Sequence, residues 1–222
     1  MSLPGRAFRD RADAGRVLAA KLVQYARAPD VVVLGLPRGG VPVAYEVAVA
    51  LGAPLDVFVV RKLGVPGHAE LAMGAIADGG VRVMNESVAE SLGLAESVIE
   101  EVAAREGLEL ARRQAAYRGG RQPVDIASKT VLVVDDGLAT GATMRAAVVA
   151  LGAQGPARIV VAVPVGARST CDELRAEVHE VVCVRAPITF QAVGQWYEDF
   201  SPTTDEEIRS LLARISGPAR PD

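Results

Sequence analysis

Two adjacent acids at the end of an apolar run are the residues of this chain best suited to chemistry. Residues 131–144 have the sequence VLVVDDGLATGATM, in which Asp135 and Asp136 follow four apolar residues. A short continuous apolar run is typical of a strand buried on both faces. Neighbouring carboxylates repel each other, so they need a cation or a neutral polyol as their partner. The pair therefore predicts a site for sugar hydroxyls or for a cation.

The turn after the acids, residues 137–141, adds groups that can hold an anion. Thr140 and Thr143 offer hydroxyl donors, and Gly141 lets the backbone come close to a ligand. A helix is predicted to begin here, and the free N–H groups at a helix N-terminus form an anion site. The sequence contains neither a GxxxxGK[ST] loop nor a GxGxxG turn after a strand. A tight turn with a capped helix is the alternative, but the acids and the turn together indicate a sugar phosphate.

Basic side chains follow two other apolar runs. Arg38 comes after residues 31–34, and Arg61 and Lys62 come after residues 55–60. Ligands of parallel sheets bind beyond the carboxyl ends of the strands, so these cations are candidates for binding an anion there. The alternatives are an exposed surface arginine for Arg38 and a charged strand end for Arg61 and Lys62.

Strands and helices alternate along most of the chain, which predicts an α/β fold with a doubly wound, mainly parallel sheet flanked by helices. The predicted strands are residues 31–34, 55–60, 130–134, 158–163 and 178–184, and the predicted helices are residues 11–26, 41–51, 94–117, 142–151 and 169–176. Residues 64–80 are rich in glycine and predict a loop or hairpin rather than part of the core.

Composition limits the remaining classes of function. The chain has 222 residues, of which 50% are hydrophobic and only 4% aromatic, which suits one α/β domain with an aliphatic core. A net charge of −3 argues against broad binding of nucleic acid. No apolar run approaches the roughly 20 residues of a membrane span, and the N-terminus lacks the apolar region of a signal peptide. We therefore expect a cytoplasmic protein in which Cys171 and Cys183 are reduced thiols.

Residues 131–144 resemble the motif with which type I phosphoribosyltransferases bind 5-phosphoribosyl-1-pyrophosphate (PRPP), in the variant seen in adenine phosphoribosyltransferases. The chain from Phe8 to Phe200 is similar to a group of bacterial and archaeal phosphoribosyltransferases of unassigned substrate. The motif is highly specific for the fold and less specific for the reaction.

The resemblance implies a role for each matching residue. Asp135 and Asp136 would bind the 2′ and 3′ hydroxyls of the ribose, directly or through Mg²⁺ and water. Arg61 and Lys62 match a basic pair found in several members, and they join the two acids as expected catalytic residues. The 5′-phosphate would lie on Ala139, Thr140, Gly141, Ala142 and Thr143, and the pyrophosphate on Arg38, Gly39 and Gly40.

The resemblance also implies a single phosphoribosyltransferase domain over residues 1–222, with its core at about residues 28–186. A small hood would come from the N-terminal helix and residues 187–216, and a flexible loop at about residues 63–85 would close over the reaction. A cis peptide is expected at Pro37–Arg38. A homodimer is implied as well.

The reaction implied is transfer of the 5-phosphoribosyl group from PRPP to a nitrogen acceptor, with release of pyrophosphate. The acceptor would be a nucleobase or a similar heterocycle, as in nucleotide salvage. Two alternatives remain open. One is a PRPP-sensing regulator that binds RNA or DNA, and the other is an accessory protein that binds PRPP without turnover.

The sequence departs from the family on the acceptor side. Some purine-using members carry an aspartate at the position of Ala139, so a proton acceptor would have to come from elsewhere, for example from His68 or Glu70. Trp196 and Tyr197 are candidates for stacking on an acceptor base. The alternative is that these two rings pack the C-terminal tail, residues 187–222, onto the rest of the domain.

Overall fold

The computed structural model describes residues 6–215, except for the side chains of residues 69, 70 and 86; the ends of the predicted domain and hood, residues 1–5 and 216–222, lie outside this range. The helices are α1 (Arg11–Ala19), α2 (Gly40–Leu51), α3 (Glu86–Ser91), α4 (Glu96–Arg118), α5 (Ala142–Gly152), α6 (Arg168–Leu174) and α7 (Asp205–Ile215). The strands are β1 (Val31–Gly35), β2 (Leu55–Val57), β3 (Val60–Val65), β4 (His68–Ala77), β5 (Val81–Met84), β6 (Thr130–Val134), β7 (Arg158–Val165) and β8 (Glu180–Arg185).

A five-stranded parallel sheet in the order β2-β1-β6-β7-β8 forms the centre of the fold. Every residue of β1 and β6 is buried, as expected for strands covered on both faces. The chain runs outward from β1 to β2 and then returns to the other side of β1, so the strand order reverses between β1 and β6. Such a switch point opens a crevice beyond the carboxyl ends of the two strands.

Helices cover both faces of this sheet, which confirms the doubly wound α/β prediction. Val33 and Leu132 belong to a core shared with α1, α2, α4 and α7. Val131 and Val133 face the other way, into a core shared with α5 and α6. None of the helices in the described range combines the length and the apolar character needed to cross a membrane.

The glycine-rich segment differs from the prediction, because it forms a three-stranded antiparallel sheet in the order β3-β4-β5. Leu63, Met73 and Ile76 of this sheet are buried in the core that includes α4. The hairpin part of the prediction is confirmed, but the expectation that the segment stays out of the core was wrong. The pairing of β3 with β4 shifts register between Leu63 and Val65, so the irregularity suggested by the glycines is confined to the tip of the hairpin.

Two predicted elements differ from the observed ones by more than two residues at one end. The strand predicted at residues 55–60 divides, since β2 ends at Val57 and β3 leaves for the antiparallel sheet from Val60. The helix predicted at residues 11–26 ends at Ala19 and is followed by a short 3-10 turn. In both cases the chain changes direction although the apolar pattern of the sequence continues. The local pattern therefore does not show where the element ends.

A buried ion network fastens the antiparallel sheet to the central sheet. The Arg118 side chain, at the end of α4, donates through Nε to Asp56 Oδ1 at 3.0 Å and through Nη2 to Asp78 Oδ2 at 2.9 Å. Its Nη2 also donates to the carbonyl of Val57 at 2.7 Å, and the N–H of Val59 donates to Asp78 Oδ2 at 2.8 Å. Buried charges are tolerated when they are paired and hydrogen-bonded in this way.

The tail pairs with the start of the described chain. The N–H of Phe8 donates to the carbonyl of Trp196 at 2.8 Å, and the N–H of Glu198 donates to the carbonyl of Phe8 at 2.7 Å. Cys171 and Cys183 are both free thiols, as expected.

Candidate functional site

The acid pair, Asp135 and Asp136, meets the turn at Gly39 and Gly40 at the switch point between β1 and β6. Asp136 lies so close to Gly39 that a Cβ at residue 39 would stand 1.9 Å from Asp136 Oδ2. A Cβ at Gly40 would stand 2.6 Å from the carbonyl oxygen of Val134. Only residues without a side chain allow this approach. Two motifs far apart in the sequence are therefore in contact. The Pro37–Arg38 peptide, which lies between the end of β1 and Gly39, is cis, as expected.

The two acids lie side by side and are half-buried. Asp135 accepts a hydrogen bond from the backbone N–H of Asp136 at 2.8 Å. Burial raises the pKa of Asp135 well above its usual range, and the adjacent charge of Asp136 raises it further. Burial also raises the pKa of Asp136, while the hydrogen bond from Arg11 acts in the opposite direction. A site that disfavours two negative charges favours a ligand that brings hydroxyl donors or a cation.

Arg11, at the first turn of α1, is a site residue that sequence reasoning missed. Its Nε donates to Asp136 Oδ2 at 2.8 Å, and its Nη1 donates to the carbonyl of Ser201 at 2.7 Å. The guanidinium lies 4.0 Å from the centre of the Phe200 ring. No signal in the sequence distinguishes Arg11 from the other arginines near the N-terminus, because all its partners are remote in the chain.

The turn after the acids borders a cavity of about 170 Å³ at the start of α5. Gly141 has a φ of +74°, and α5 begins at the next residue. The hydroxyl of Thr170 on α6 donates to the carbonyl of Ala139 at 2.7 Å, and Arg145 Nη1 donates to the carbonyl of Thr140 at 2.9 Å. The cavity is lined by Asp135, Gly137, Leu138, Ala139, Thr140, Gly141, Ala142, Thr143, Met144 and Val193. All five residues predicted to bind the 5′-phosphate thus line one concave surface beside Asp135.

The three predicted cations lie in different surroundings. Arg38 is 56% exposed, and its Nη1 lies 3.9 Å from Asp205 Oδ1. Arg61 Nε donates to Glu106 on α4 at 2.9 Å. Lys62 lines a cavity of about 360 Å³ between the antiparallel sheet and α5, and Ala142 lines both this cavity and the one beside Asp135. Successive residues of a strand point to opposite faces. The structure therefore does not bring Arg61 and Lys62 together as a pair, and their joint role in catalysis stays a prediction.

Trp196 and Tyr197 are buried rather than presented to the crevice. They belong to a small core with Phe8, and the Tyr197 ring lies 5.6 Å from that of Phe8. The Tyr197 hydroxyl donates to the carbonyl of Asp136 at 2.6 Å. Burial, and next the charge of Asp136, raise the pKa of Tyr197. Their role in acceptor binding stays a prediction, and burial of both rings favours the alternative that they pack the tail onto the domain.

The residues named as proton acceptors give little support to that role. His68 is exposed at the start of β4, in the antiparallel sheet. The side chain of Glu70 lies outside the described residues. Ala139 is exposed on the turn and offers only a methyl group there.

The two carboxylates fit a Mg²⁺ site that the protein would share with its substrate. Mg²⁺ is bound in proteins through one or two carboxylates, with substrate phosphates and water completing six oxygen ligands. Asp135 and Asp136 supply two carboxylates at the crevice. Across residues 6–215, excluding the side chains not described, no group of three or more His, Cys, Asp or Glu side chains could form an all-protein metal site.

Comparisons with known proteins point to one family. The model of the phosphoribosyl transferase domain matches residues 7–199. Two Mycobacterium tuberculosis proteins, Rv0571c of strain H37Rv and MT0597 of strain CDC 1551, are each 47% identical over 207 residues, which is 93% of this chain and 46% of each relative. Their names assign them provisionally as phosphoribosyl transferases. The chain thus spans less than half the length of these curated relatives.

Solved structures agree on the fold. The crystal structure of TT1426 from Thermus thermophilus is 43% identical in sequence and superposes with a TM-score of 0.86, covering 95% of this chain and 100% of that one. AQ2163 from Aquifex aeolicus is 11% identical with a TM-score of 0.50, over 83% of this chain and 78% of that one. At that level of identity the likeness extends to the fold alone.

Proposed function

We propose that this chain, which belongs to the phosphoribosyl transferase domain family, transfers the 5-phosphoribosyl group from PRPP to a nitrogen acceptor and releases pyrophosphate. The observation that carries the proposal is the contact between Asp136 and Gly39. Because of this contact, an acid pair suited to ribose hydroxyls, a turn suited to a diphosphate and a cavity suited to a phosphate border one crevice. PRPP has these three parts in the same molecule.

The donor would be held by groups matched to its parts. The carboxylates of Asp135 and Asp136 accept hydrogen bonds from the ribose hydroxyls, and the backbone of residues 139–143 holds the 5′-phosphate at the start of α5. The diphosphate lies on the backbone of Gly39 and Gly40. Two of these groups are already in contact, since Gly39 lies against Asp136 and Gly40 against Asp135.

The reaction breaks the bond between C1′ and the diphosphate oxygen, and pyrophosphate leaves with the electron pair. The acceptor nitrogen then forms the new bond to C1′ and gives up its proton to solvent water. Arg38 directly precedes Gly39 and Gly40, and its exposed guanidinium would stabilise the departing charge. Arg61 would contribute after release from Glu106, and Lys62 would contribute from the cavity that it lines beside the start of α5.

Mg²⁺ bound with PRPP would add positive charge against the departing pyrophosphate. Asp135 and Asp136 would hold it together with diphosphate oxygens and water, in keeping with their hard oxygen donors. The protein groups bind and orient the donor around it.

Water must be kept from the reaction, since it would hydrolyse PRPP. Residues 63–85 are proposed as the segment that closes over the site, and the N-terminal helix with residues 187–216 as the hood beside the acceptor. A cytoplasmic location and a homodimer complete the proposal. Light scattering on the purified protein tests the homodimer, and a monomeric mass would contradict it.

The test is an assay with radiolabelled PRPP and a panel of nucleobases and other nitrogen acceptors. We expect Mg²⁺-dependent release of pyrophosphate with one class of heterocycle. The double variant Asp135→Asn/Asp136→Asn should lose both PRPP binding and turnover. If this variant binds PRPP as tightly as the wild type, the site assignment is wrong.

A second candidate is an accessory protein that binds PRPP without transfer. The exposed methyl of Ala139 favours it, because no acid stands there to take the acceptor proton. The same assay separates the two functions. Tight PRPP binding with no turnover across the acceptor panel would support the accessory role and contradict the transferase.

A further inference from the structure

Arg11 lies where three parts of the proposed site meet. Its Nε donates to Asp136 Oδ2 at 2.8 Å and stands 3.1 Å from the position of a Cβ at Gly39. Its Nη1 donates to the carbonyl of Ser201 in the C-terminal tail. One side chain thus contacts the ribose acid, the diphosphate turn and the tail.

The guanidinium contacts one end of a row of aromatic rings. It lies on the ring of Phe200, whose centre is 5.1 Å from that of Tyr197. The Tyr197 ring in turn packs against Phe8, and the Arg185 guanidinium lies 3.8 Å from the centre of the Phe8 ring. Such cation–aromatic contacts favour a fixed position of the guanidinium. The side chain is 12% exposed and that of Asp136 is 15% exposed, so solvent screens their ion pair weakly.

We propose that Arg11 is a positioning residue for PRPP binding, which fixes the carboxylate of Asp136 and makes its orientation depend on the docked tail. The inference rests on the proposed function. Arg11 acts through Asp136, because both donors named above are committed to protein groups. The tail therefore takes part in forming the ribose site, although it is remote from the PRPP motif in the sequence.

A purely structural role in holding α1 explains the geometry less well. Asp10 already caps α1 by accepting from the N–H of Asp13 at 2.6 Å, and Leu18 is fully buried in the core. The helix therefore has its own cap and its own apolar anchor. The N–H groups of Arg11 instead donate to Asp136 and to the carbonyl of Ser201, which lie on two segments that α1 does not need for its formation.

The geometry also explains why the residue is an arginine. The Nε and Nη1 atoms serve two acceptors on different segments. The planar guanidinium holds these two bonds in fixed directions, whereas an ammonium group donates from a single nitrogen at the end of a flexible stem. Lysine would retain the charge beside Asp136 but would lose one of the two directed contacts. Glutamine would lose the charge.

The test compares Arg11→Gln and Arg11→Lys with Arg6→Gln in steady-state kinetics with PRPP as the varied substrate. Arg6 is a matched control, since its 82% exposed side chain pairs with Glu198 of the same tail. Loss of one hydrogen bond to a charged group corresponds to a roughly ten- to hundredfold change in binding. We expect Arg11→Gln to raise the KM for PRPP by that factor with a much smaller change in kcat, Arg11→Lys to recover part of it, and Arg6→Gln to stay within twofold of the wild type.

A second variant, Phe200→Leu, removes the ring under the guanidinium and leaves every hydrogen-bonding group in place. We expect a rise in the KM for PRPP smaller than that of Arg11→Gln, and this measurement decides if Arg11→Gln does not fold. A wild-type KM in Arg11→Gln, or in Phe200→Leu in that case, overturns the inference. Wild-type protein that does not bind PRPP in calorimetry would instead refute the proposed function, so the two failures are distinct.

Discussion

The contact between Gly39 and Asp136 predicts the effect of one added methyl group. In Gly39→Ala the new Cβ would lie 1.9 Å from Asp136 Oδ2 and 2.6 Å from its Cγ. Contacts of a Cβ do not fall below 3.0 Å, so the carboxylate would have to retreat by at least about 1.1 Å. That movement breaks the 2.8 Å hydrogen bond from Arg11 and displaces the group proposed to bind the ribose.

The expected magnitude follows from this displacement. Misplacement of a binding group by about 1 Å can cost roughly 100-fold in rate, and loss of a hydrogen bond to a charged group costs about 1.5–3 kcal/mol. We therefore expect the Kd of PRPP to rise about 10- to 100-fold. The fold should persist, because the atoms that must move belong to a side chain at the crevice.

The assay is isothermal titration calorimetry with PRPP and Mg²⁺, with thermal unfolding of each variant measured alongside. Gly152→Ala is the matched control, since a Cβ at Gly152 at the end of α5 meets nothing within 4 Å. It should bind PRPP like the wild type. A Gly39→Ala variant that is folded and binds PRPP within twofold of the wild type would refute the reasoning.

Three further predictions concern the packing around the site and the pH dependence of stability. Arg118→Met should lower the free energy of unfolding by about 3–5 kcal/mol in chemical denaturation, because it leaves two buried carboxylates unpaired. The control Arg112→Met, at an exposed side chain, should leave the free energy of unfolding nearly unchanged, and equal effects of the two variants would contradict the prediction. Thr170→Val removes a hydrogen bond of about 0.5–1.5 kcal/mol to the phosphate turn, so calorimetry should show PRPP binding weakened about two- to tenfold, whereas unchanged affinity would count against support of the turn by α6. Burial, and next the bond to Glu180, raise the pKa of Tyr25 above its ordinary value of 10.0, so its stabilising contribution is complete below pH 10.0 and is lost as the pH rises through the folded-state value. Urea unfolding of Tyr25→Phe should therefore show a smaller loss of stability between pH 9 and pH 11 than the wild type, and parallel losses would contradict the prediction.

The sequence was sufficient where the signal is local. The apolar run of β6 predicted a buried strand, and the two acids with the turn after them were predicted to lie where that strand ends, because each signal comes from neighbours in the chain. The central parallel sheet followed in the same way from the alternation of strands and helices. The contact of Gly39 with Asp136 brings together two residues that the sequence assigned to one predicted site.

The sequence was insufficient where packing between distant segments decides. Arg11 has the type and spacing of a surface residue, and only the docked tail makes it a partner of Asp136. Burial of Tyr197 depends on its contact with Phe8, which is about 190 residues away in the sequence. The glycines of residues 63–85 indicated a loop because local patterns do not show that Met73 will be covered by α4.

The network around Arg118 fixes one end of the antiparallel sheet, because Asp78 follows β4 directly and shares Arg118 with Asp56 of the central sheet. The other end, at the hairpin tip, carries the register shifts next to Val65. We therefore expect amide exchange to be slowest near Asp78 and fastest near the hairpin tip. Closure over a ligand would then be a bending of the hairpin rather than a swing of the whole sheet.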